Sequence, residues 1–528
     1  MTDRNARANG TGAGFSRRGV LQMGAAAGVG LGAGGLLWPV RTLRAQETPK
    51  QGGRLRIGLA GGQTSNTLTQ SASAYGSPAD RLVNFTLYNC LVEIAPDGVA
   101  IPELAESWDI GPDAKRWVFN IRQGVTFHNG KELTADDVVF SIMRHKVPDS
   151  KSGAVGILKE IESVKKLDKY QVEMVHMTGT LDLHYLMSDY HLSIVPEGQT
   201  ESDGTGTGAY VLDSYQPGVR FFATRNPNYW KEGRAHVDEV EVLVVNDDLA
   251  RHSALQSGEV NVINRLDPKT VSLMQRAPGL EVIISDGYGF YTVNMLCDTA
   301  PFDNLDLRLA FKYAVDRTAL LERILRGYGE RGNDQPLSTK IPFYDPDLAQ
   351  REQDLDKAKY HFKKSGHSGT IPLRASTAAF SGAIDMAVLL QEQAAQAGMQ
   401  IDVVREPPDG YWSNVWRKEP FMISYWSGRP TADQMFTTAY YSKAPWNDTH
   451  WANARFDELL VAARTEFDQD KRAGMYGEMQ QLLNDDGGAM ISLFNSYLDG
   501  AKDTVKGDLW APNMELSGCR IAERAWLG

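Results

Sequence analysis

Phe421-Met-Ile-Ser-Tyr-Trp-Ser-Gly-Arg-Pro-Thr-Ala-Asp-Gln-Met-Phe436 is the stretch from which the architecture can be read. Its first six residues are apolar and aromatic enough for a buried strand, which Ser427-Gly428 and Arg429-Pro430 bring to an end. Strand ends of this kind border ligand crevices in α/β sheets. Tyr425, Trp426, Ser427 and the Arg429 guanidinium would surround Gly428, whose missing side chain lets a ligand approach the backbone. The plainer reading keeps both aromatics in the core and leaves Arg429 as a solvated turn charge. The flanking sequence decides between them.

Outward from this strand, helical and extended patterns alternate. Residues 307–325 carry apolar side chains at helical spacing behind an Asp303/Asn304 cap. Residues 354–364 and 383–397 read as helices stopped by Gly366 and Gly398, 401–404 as a strand, and 456–467 and 471–483 as helices. A strand at 489–498 precedes a tail that reads as polar and irregular. Alternation of this sort implies a sheet flanked by helices. Towards the amino terminus, strands are expected at 52–59, 116–122, 240–244, 280–285 and 291–296. Thr134 caps a helix from Ala135, with Asp137 closing a capping box. Residues 101–108 read as a helical turn, and 81–92 as either a short helix or the entry to a strand.

At 528 residues the chain needs two or more domains. Ser16-Arg17-Arg18-Gly19-Val20-Leu21 before a Gly/Ala-rich apolar run resembles a twin-arginine export signal, with cleavage expected near Ala45–Gln46. Six glycines between Gly24 and Gly35 make a poor membrane span, and no cysteine near the cut offers a lipid anchor. Loss of residues 1–45 removes six arginines and one aspartate, taking the formal charge from −11 to −16. That balance argues against nucleic acid or an anionic membrane as partner, and no later run is long enough to be membrane-embedded. Cys90, Cys297 and Cys519 are too scattered for a disulfide scaffold or metal cluster, leaving one bridge or buried free thiols open.

Pro102-Glu-Leu-Ala-Glu-Ser-Trp108, Phe119-Asn-Ile-Arg-Gln-Gly-Val-Thr-Phe-His-Asn-Gly130 and Leu133-Thr-Ala-Asp-Asp-Val-Val-Phe-Ser141 resemble the hallmark block of the peptide/nickel-type (family 5) extracytoplasmic solute-binding proteins. These are the oligopeptide- and dipeptide-binding components of ABC importers. The likeness continues at Gly206–Leu212, Arg225-Asn-Pro-Asn-Tyr-Trp230, Ala254–Val260 and Leu309–Arg317. The resemblance implies an α/β, two-lobed periplasmic binding protein (Venus-flytrap) fold with an extra subdomain in the first lobe. Lobe one would comprise 46–300 with 495–528, including a subdomain at about 96–203, and lobe two 301–494. The hinge would fall near 298–301 and 495–499. It further implies a monomeric periplasmic receptor that hands a small ligand to permease subunits, needing no cofactor.

Catalytic signatures are missing: there is no Gly-x-Ser-x-Gly and no zinc-binding helix. The acidic doublets Asp136-Asp137, Asp247-Asp248 and Asp485-Asp486 read as caps or solvated faces. Gly204-Thr-Gly-Thr-Gly208 feeds an extended run rather than a helix, which excludes a phosphate loop. His128 reads as structural. Aromatic and amide groups are instead crowded after Pro407, among them Trp412, Tyr425, Trp426, Trp446 and Asn447. Flat aromatic area with one hydrogen-bonding atom suits a ligand-gripping wall.

In peptide-binding members of the family an acidic residue commonly follows the Trp-x-Gly and holds the ligand's α-ammonium. Here Trp426-Ser427-Gly428 is followed by Arg429, a reversal of sign. Either the ligand offers an anion, or Asp433 takes the amine, or Arg429 pairs with a structural carboxylate. Asn66, Thr67 and Asn294 are further ligand-binding candidates, with Asn333-Asp334 behind them. The reading is a solute receptor for a peptide-like or carboxylate-bearing ligand. A metal or haem carrier of the same fold and an exported hydrolase are its rivals.

Overall fold

The computed structural model describes residues 48–528 except 74, 408 and 409. Within it, Val240 and Val242 of Glu239–Val244 are buried where that strand lies parallel to Arg54–Leu59. From this pair an eleven-stranded mixed sheet extends both ways. Arg220–Arg225 and Tyr210–Gln216 follow on one side; Val262–Ile263, Ala489–Lys502, Leu280–Met295, Phe421–Trp426, Thr370–Ala375 and Gln400–Arg405 follow on the other. Gly329–Arg331 pairs with Ala489–Lys502 off this path.

Two long antiparallel strands hold the sheet together. The strands expected at 280–285 and 291–296 are one 16-residue strand, Leu280–Met295, whose pairing with Ala489–Lys502 shifts register between Asp286 and Phe290. The bulge absorbs the polar glycine-rich break that separates the two apolar runs in sequence. Residues 495–499 lie inside Ala489–Lys502, whereas 298–301 fall in a turn beyond the end of Leu280–Met295.

The buried side chains fall into two groups. One joins residues 55–262 to 501–525. Beside it lies a further cluster, 91–194, built on the separate four-stranded sheet Ala105–Ile110, Arg116–Ile121, Gln171–His176 and Ile161–Asp168. The other group comprises a cluster at 293–423 with Met490 and Leu493, and one running from Tyr288 to Phe494. The architecture is mixed α/β in two lobes, the first carrying the extra sheet, and no described helix is long and apolar enough to cross a membrane.

Local signals place most elements. Ser77 and Asp80 make a reciprocal capping box on Pro78–Leu87, as Thr134 and Asp137 do on Ala135–Met143. The ambiguous segment 81–92 is thus mostly helix, followed by the strand Val92–Ile94. Residues 101–108 are not a helical turn: they belong to the strands Ala100–Pro102 and Ala105–Ile110, where Trp108 can pack on Phe119 at 6.3 Å. The helix at 307–325 is two, Leu305–Ala314 and Arg317–Ile324, because Asp316 accepts from the Ala319 amide and starts a second helix.

The carboxy-terminal tail is ordered and buried, contrary to its polar composition. Val505–Gly507 pairs with Ala525–Leu527. Arg520 reaches Glu103 at 2.8 Å and Arg524 reaches Glu93 at 2.6 Å, while Lys231 contacts Glu93, Glu103 and Glu523 at 2.6, 2.7 and 3.1 Å. Burial alone would raise the Glu93 pKa; Arg520, Lys231 and Arg524 outweigh it and hold the carboxyl far below its ordinary range. The charges were legible, but their mutual neutralisation is a tertiary fact. The three cysteines are free thiols. The export segment and its cleavage site lie outside the described residues.

Candidate functional site

Phe421–Trp426 runs antiparallel to Leu280–Met295, with Tyr291 opposite Tyr425 and Phe290 opposite Trp426. Because successive side chains leave opposite faces of a strand, the two candidate aromatics part company. Trp426 is 7% exposed and lies 6.2 Å from Trp446, which is 51% exposed. Tyr425, 42% exposed, meets Trp412 edge-on at 5.6 Å, and Trp412 meets Trp416 at 6.2 Å. Two aromatic patches therefore flank one strand.

A buried carboxylate joins them. Asp448 accepts from Trp426 Nε1 at 3.0 Å and from Trp416 Nε1 at 3.3 Å. Burial pushes its pKa up to about 6, the bonds from Trp426 and Trp416 acting in opposition. Sequence reading missed Asp448, although an aspartate directly after Trp446-Asn447 was a usable signal.

Arg429 stands at the end of this strand, before the helix Ala432–Ala439 capped by Thr431. Its Nη1 donates to the Gly428 carbonyl at 2.6 Å and its guanidinium lies 5.9 Å from the Trp426 ring centroid. It forms no ion pair with any described carboxylate. Burial lowers its pKa from the ordinary guanidinium value; Asp189 and Tyr190 raise it, and Arg81 adds to the lowering. All three belong to the first lobe. Asp433 is engaged by Arg464 at 2.7 Å, which leaves it poorly placed to accept a ligand amine.

Other candidates serve the protein itself. Gly428 has φ +74° and a Cβ there would lie 2.2 Å from the Tyr288 carbonyl oxygen, so its close approach is to Tyr288 rather than to a ligand. Asn66 accepts from the Gln63 amide and donates to Ser77 Oγ. Thr67 accepts from the Thr69 amide. Asn447 donates to the Trp451 carbonyl at 2.7 Å. Asn294 is fully buried beside Thr292. Asp334 is gripped by Arg317 and Arg351, and Asn333 by the Arg351 amide. Ser427, by contrast, is exposed.

Sequence reading also missed the facing wall. On helix Pro78–Leu87, Arg81 donates through Nε to the Gly76 carbonyl at 2.9 Å and covers the Tyr190 ring at 5.2 Å. Arg265 pairs with Glu515 at 2.9 Å and lowers the pKa of Tyr291, which burial raises. The lobes also touch directly. Leu181 donates its amide to the Arg464 carbonyl at 2.9 Å, and Arg472 pairs with Asp182 at 2.8 Å.

A shallow concavity of about 460 Å³ lies elsewhere, lined by Arg455, Leu459, Met475 and Glu478 on two outer helices. A gap of about 10 Å³ beside Asn66 has room for no more than one water. The carboxylates of Glu93, Glu103 and Glu523 approach one another as metal ligands could, but Lys231, Arg520 and Arg524 already neutralise them. His128 donates through Nε2 to the Gly208 carbonyl at 3.1 Å and accepts the Gly206 amide at Nδ1, fixing the glycine loop against Leu87.

Comparison with known proteins bears on this arrangement. Residues 99–448 match the family model described as bacterial extracellular solute-binding proteins, family 5 middle region. A dipeptide-binding protein of Pseudomonas aeruginosa is 28% identical over 439 residues, covering 76% of this chain and 82% of its own. HbpA2 from Haemophilus parasuis superposes with a TM-score of 0.80 at 21% identity, over 90% of this chain and 100% of the other. AgaA from A. tumefaciens R10, solved with agropinic acid, gives 0.74 at 22% identity, over 90% and 99%.

Proposed function

The chain belongs to the bacterial extracellular solute-binding proteins of family 5, and from that premise we propose that it captures a carboxylate-bearing solute between its lobes. It delivers that solute to the permease subunits of an ABC importer. Family members bind ligands rather than transform them, and this chain acts as a periplasmic monomer exported through its amino-terminal twin-arginine segment. Lobe one is about 46–286 with 496–528 and lobe two about 290–494, with the crossing at the register shift between Asp286 and Phe290 of Leu280–Met295 and its partner strand.

One observation carries the ligand class. Arg429 occupies the strand end beside Trp426 and Trp446 and forms no ion pair with a carboxylate among the described residues. A part-buried guanidinium of this kind prefers a planar anion. Trp426 and Trp446 supply the apolar wall on this face of the strand, with Ser427 exposed at its end.

The test is mass spectrometry of whatever solute co-purifies, followed by calorimetric titration of that solute into wild type and Arg429→Ala. Breaking a charge-assisted bond in a desolvated site costs roughly 2–4 kcal/mol of binding free energy. Unchanged affinity would retire the anion assignment. Recovery of the solute in altered form would instead favour a hydrolase.

A further inference from the structure

Most cationic side chains where the lobes meet already have partners. Arg265 is held by Glu515, Arg464 by Asp433 and Arg472 by Asp182. Two are not, among the described residues: Arg81 of lobe one and Arg429 of lobe two. Each is positioned by one backbone carbonyl, Gly76 at 2.9 Å and Gly428 at 2.6 Å. Each is also backed by an aromatic ring, Tyr190 at 5.2 Å and Trp426 at 5.9 Å. These contacts fix a guanidinium and leave most of its N–H groups for something else.

The neighbouring acid Asp189 raises the Arg429 pKa but makes no ion pair with it. Asp189 is engaged through Oδ1 by the His191 amide at 2.9 Å and by Nδ1 at 2.7 Å. Glu515 belongs to Arg265. That two guanidinia remain unpaired is notable in a chain whose formal charge is −11, where acids outnumber bases 66 to 55. Tyr190 links the two, since Arg81 covers its ring and both guanidinia lower its pKa against the effect of burial.

We infer that Arg81 and Arg429 close from opposite lobes on a single anionic group of the solute, a carboxylate or a phosphate, and that this group triggers closure. The inference rests on the receptor reading above and adds a second residue, a geometry and a switch. Without an anion the two like charges repel, which opposes bringing the lobes together. With one, each lobe gains charge-assisted hydrogen bonds that exist only in the closed state, the differential affinity that closure requires. A free α-ammonium at this place would meet two cations. The site therefore rejects the unblocked amino end of a peptide and accepts an acid.

The test uses the whole mature protein, with inorganic phosphate and succinate as probes and chloride as the control at fixed ionic strength. Thermal unfolding gives the apparent affinity and small-angle scattering the closure. For wild type, Tm rises and the radius of gyration falls saturably with either dianion but not with chloride. Arg81→Met and Arg429→Met each weaken the response about tenfold, and the double variant is within about threefold of the weaker single, because both residues serve one group. Arg81→Gln, which can still donate to Gly76, guards against a folding defect and should behave like Arg81→Met. Variants that respond as wild type does, losses that multiply, or equal effects of chloride overturn the clasp. If the as-purified protein releases a neutral or amine-bearing solute that drives closure, the receptor reading stands and the clasp falls. If neither the dianions nor any co-purified solute closes it, both fall.

Discussion

Gly428 shows how a residue can be noticed correctly and explained wrongly. Its left-handed φ of +74° and the 2.2 Å approach of a Cβ to the Tyr288 carbonyl oxygen leave no room for alanine. Gly428→Ala should lower the unfolding free energy by about 1–3 kcal/mol in urea titrations, and an unchanged midpoint would refute the packing account. The sequence could mark the glycine but not say whether a ligand or another strand comes close. Asp499 was unremarkable in sequence, yet it is buried on Ala489–Lys502 and accepts from the Leu516 amide at 2.6 Å. Burial and Glu515 push its pKa up to about 8, against about 3.9 for an unfolded aspartate. Between those values the native state holds a proton the unfolded chain has lost, so stability falls as pH rises through that window. Asp499→Asn should flatten the decline of Tm between about pH 4 and 8. A wild-type slope retained in the variant would assign the effect elsewhere.

At the scale of elements, caps and periodicity were good guides. Thr134, Asn304, Gly366 and the alternation of Trp117, Phe119 and Ile121 all sit where local chemistry put them. What local chemistry could not supply was pairing: whether two apolar runs are two strands or one depends on Ala489–Lys502 alongside them. The contact between Asp182 and helix Gln469–Asp486 is of the same kind. Arg472 and Asp182 are both largely buried and 2.8 Å apart, joining the extra subdomain to lobe two. Arg472→Met alone strands a buried carboxylate and should cost roughly 3–5 kcal/mol, whereas Arg472→Met with Asp182→Asn should recover much of it. Chemical denaturation of the four proteins in the cycle decides, and strict additivity would count against a coupled pair.

For the whole molecule, two lobes and an added sheet follow from the sequence through the family blocks at 102–141, and the site follows only in part. Tyr425, Trp426 and Arg429 were visible because aromatics and a guanidinium stand out at a strand end. Arg81, Asp189 and Asp448 were not, because their relevance comes from residues hundreds of positions away. The tail is the extreme case. Tyr210 donates to the Ala522 carbonyl, the Ala235 amide donates to the Glu523 backbone carbonyl, and Arg520 and Arg524 neutralise Glu103 and Glu93. Deleting residues 515–528 should abolish hydrogen-exchange protection in Arg54–Leu59 and Glu239–Val244 while sparing Thr370–Ala375 and Gln400–Arg405. Uniform loss across both sets would show that the lobes cannot unfold separately.

That return of the chain end to its beginning has a consequence for synthesis. While the last two arginines are still inside the ribosome, Glu93 and Glu103 lack the cations that make their burial tolerable, and the nascent amino-terminal half has an unfinished interior. Lobe two, encoded without interruption, can mature during translation. Lobe one has to wait until Arg520 and Arg524 emerge, and until then its exposed apolar strands are the part of the newborn polypeptide that a chaperone must shield.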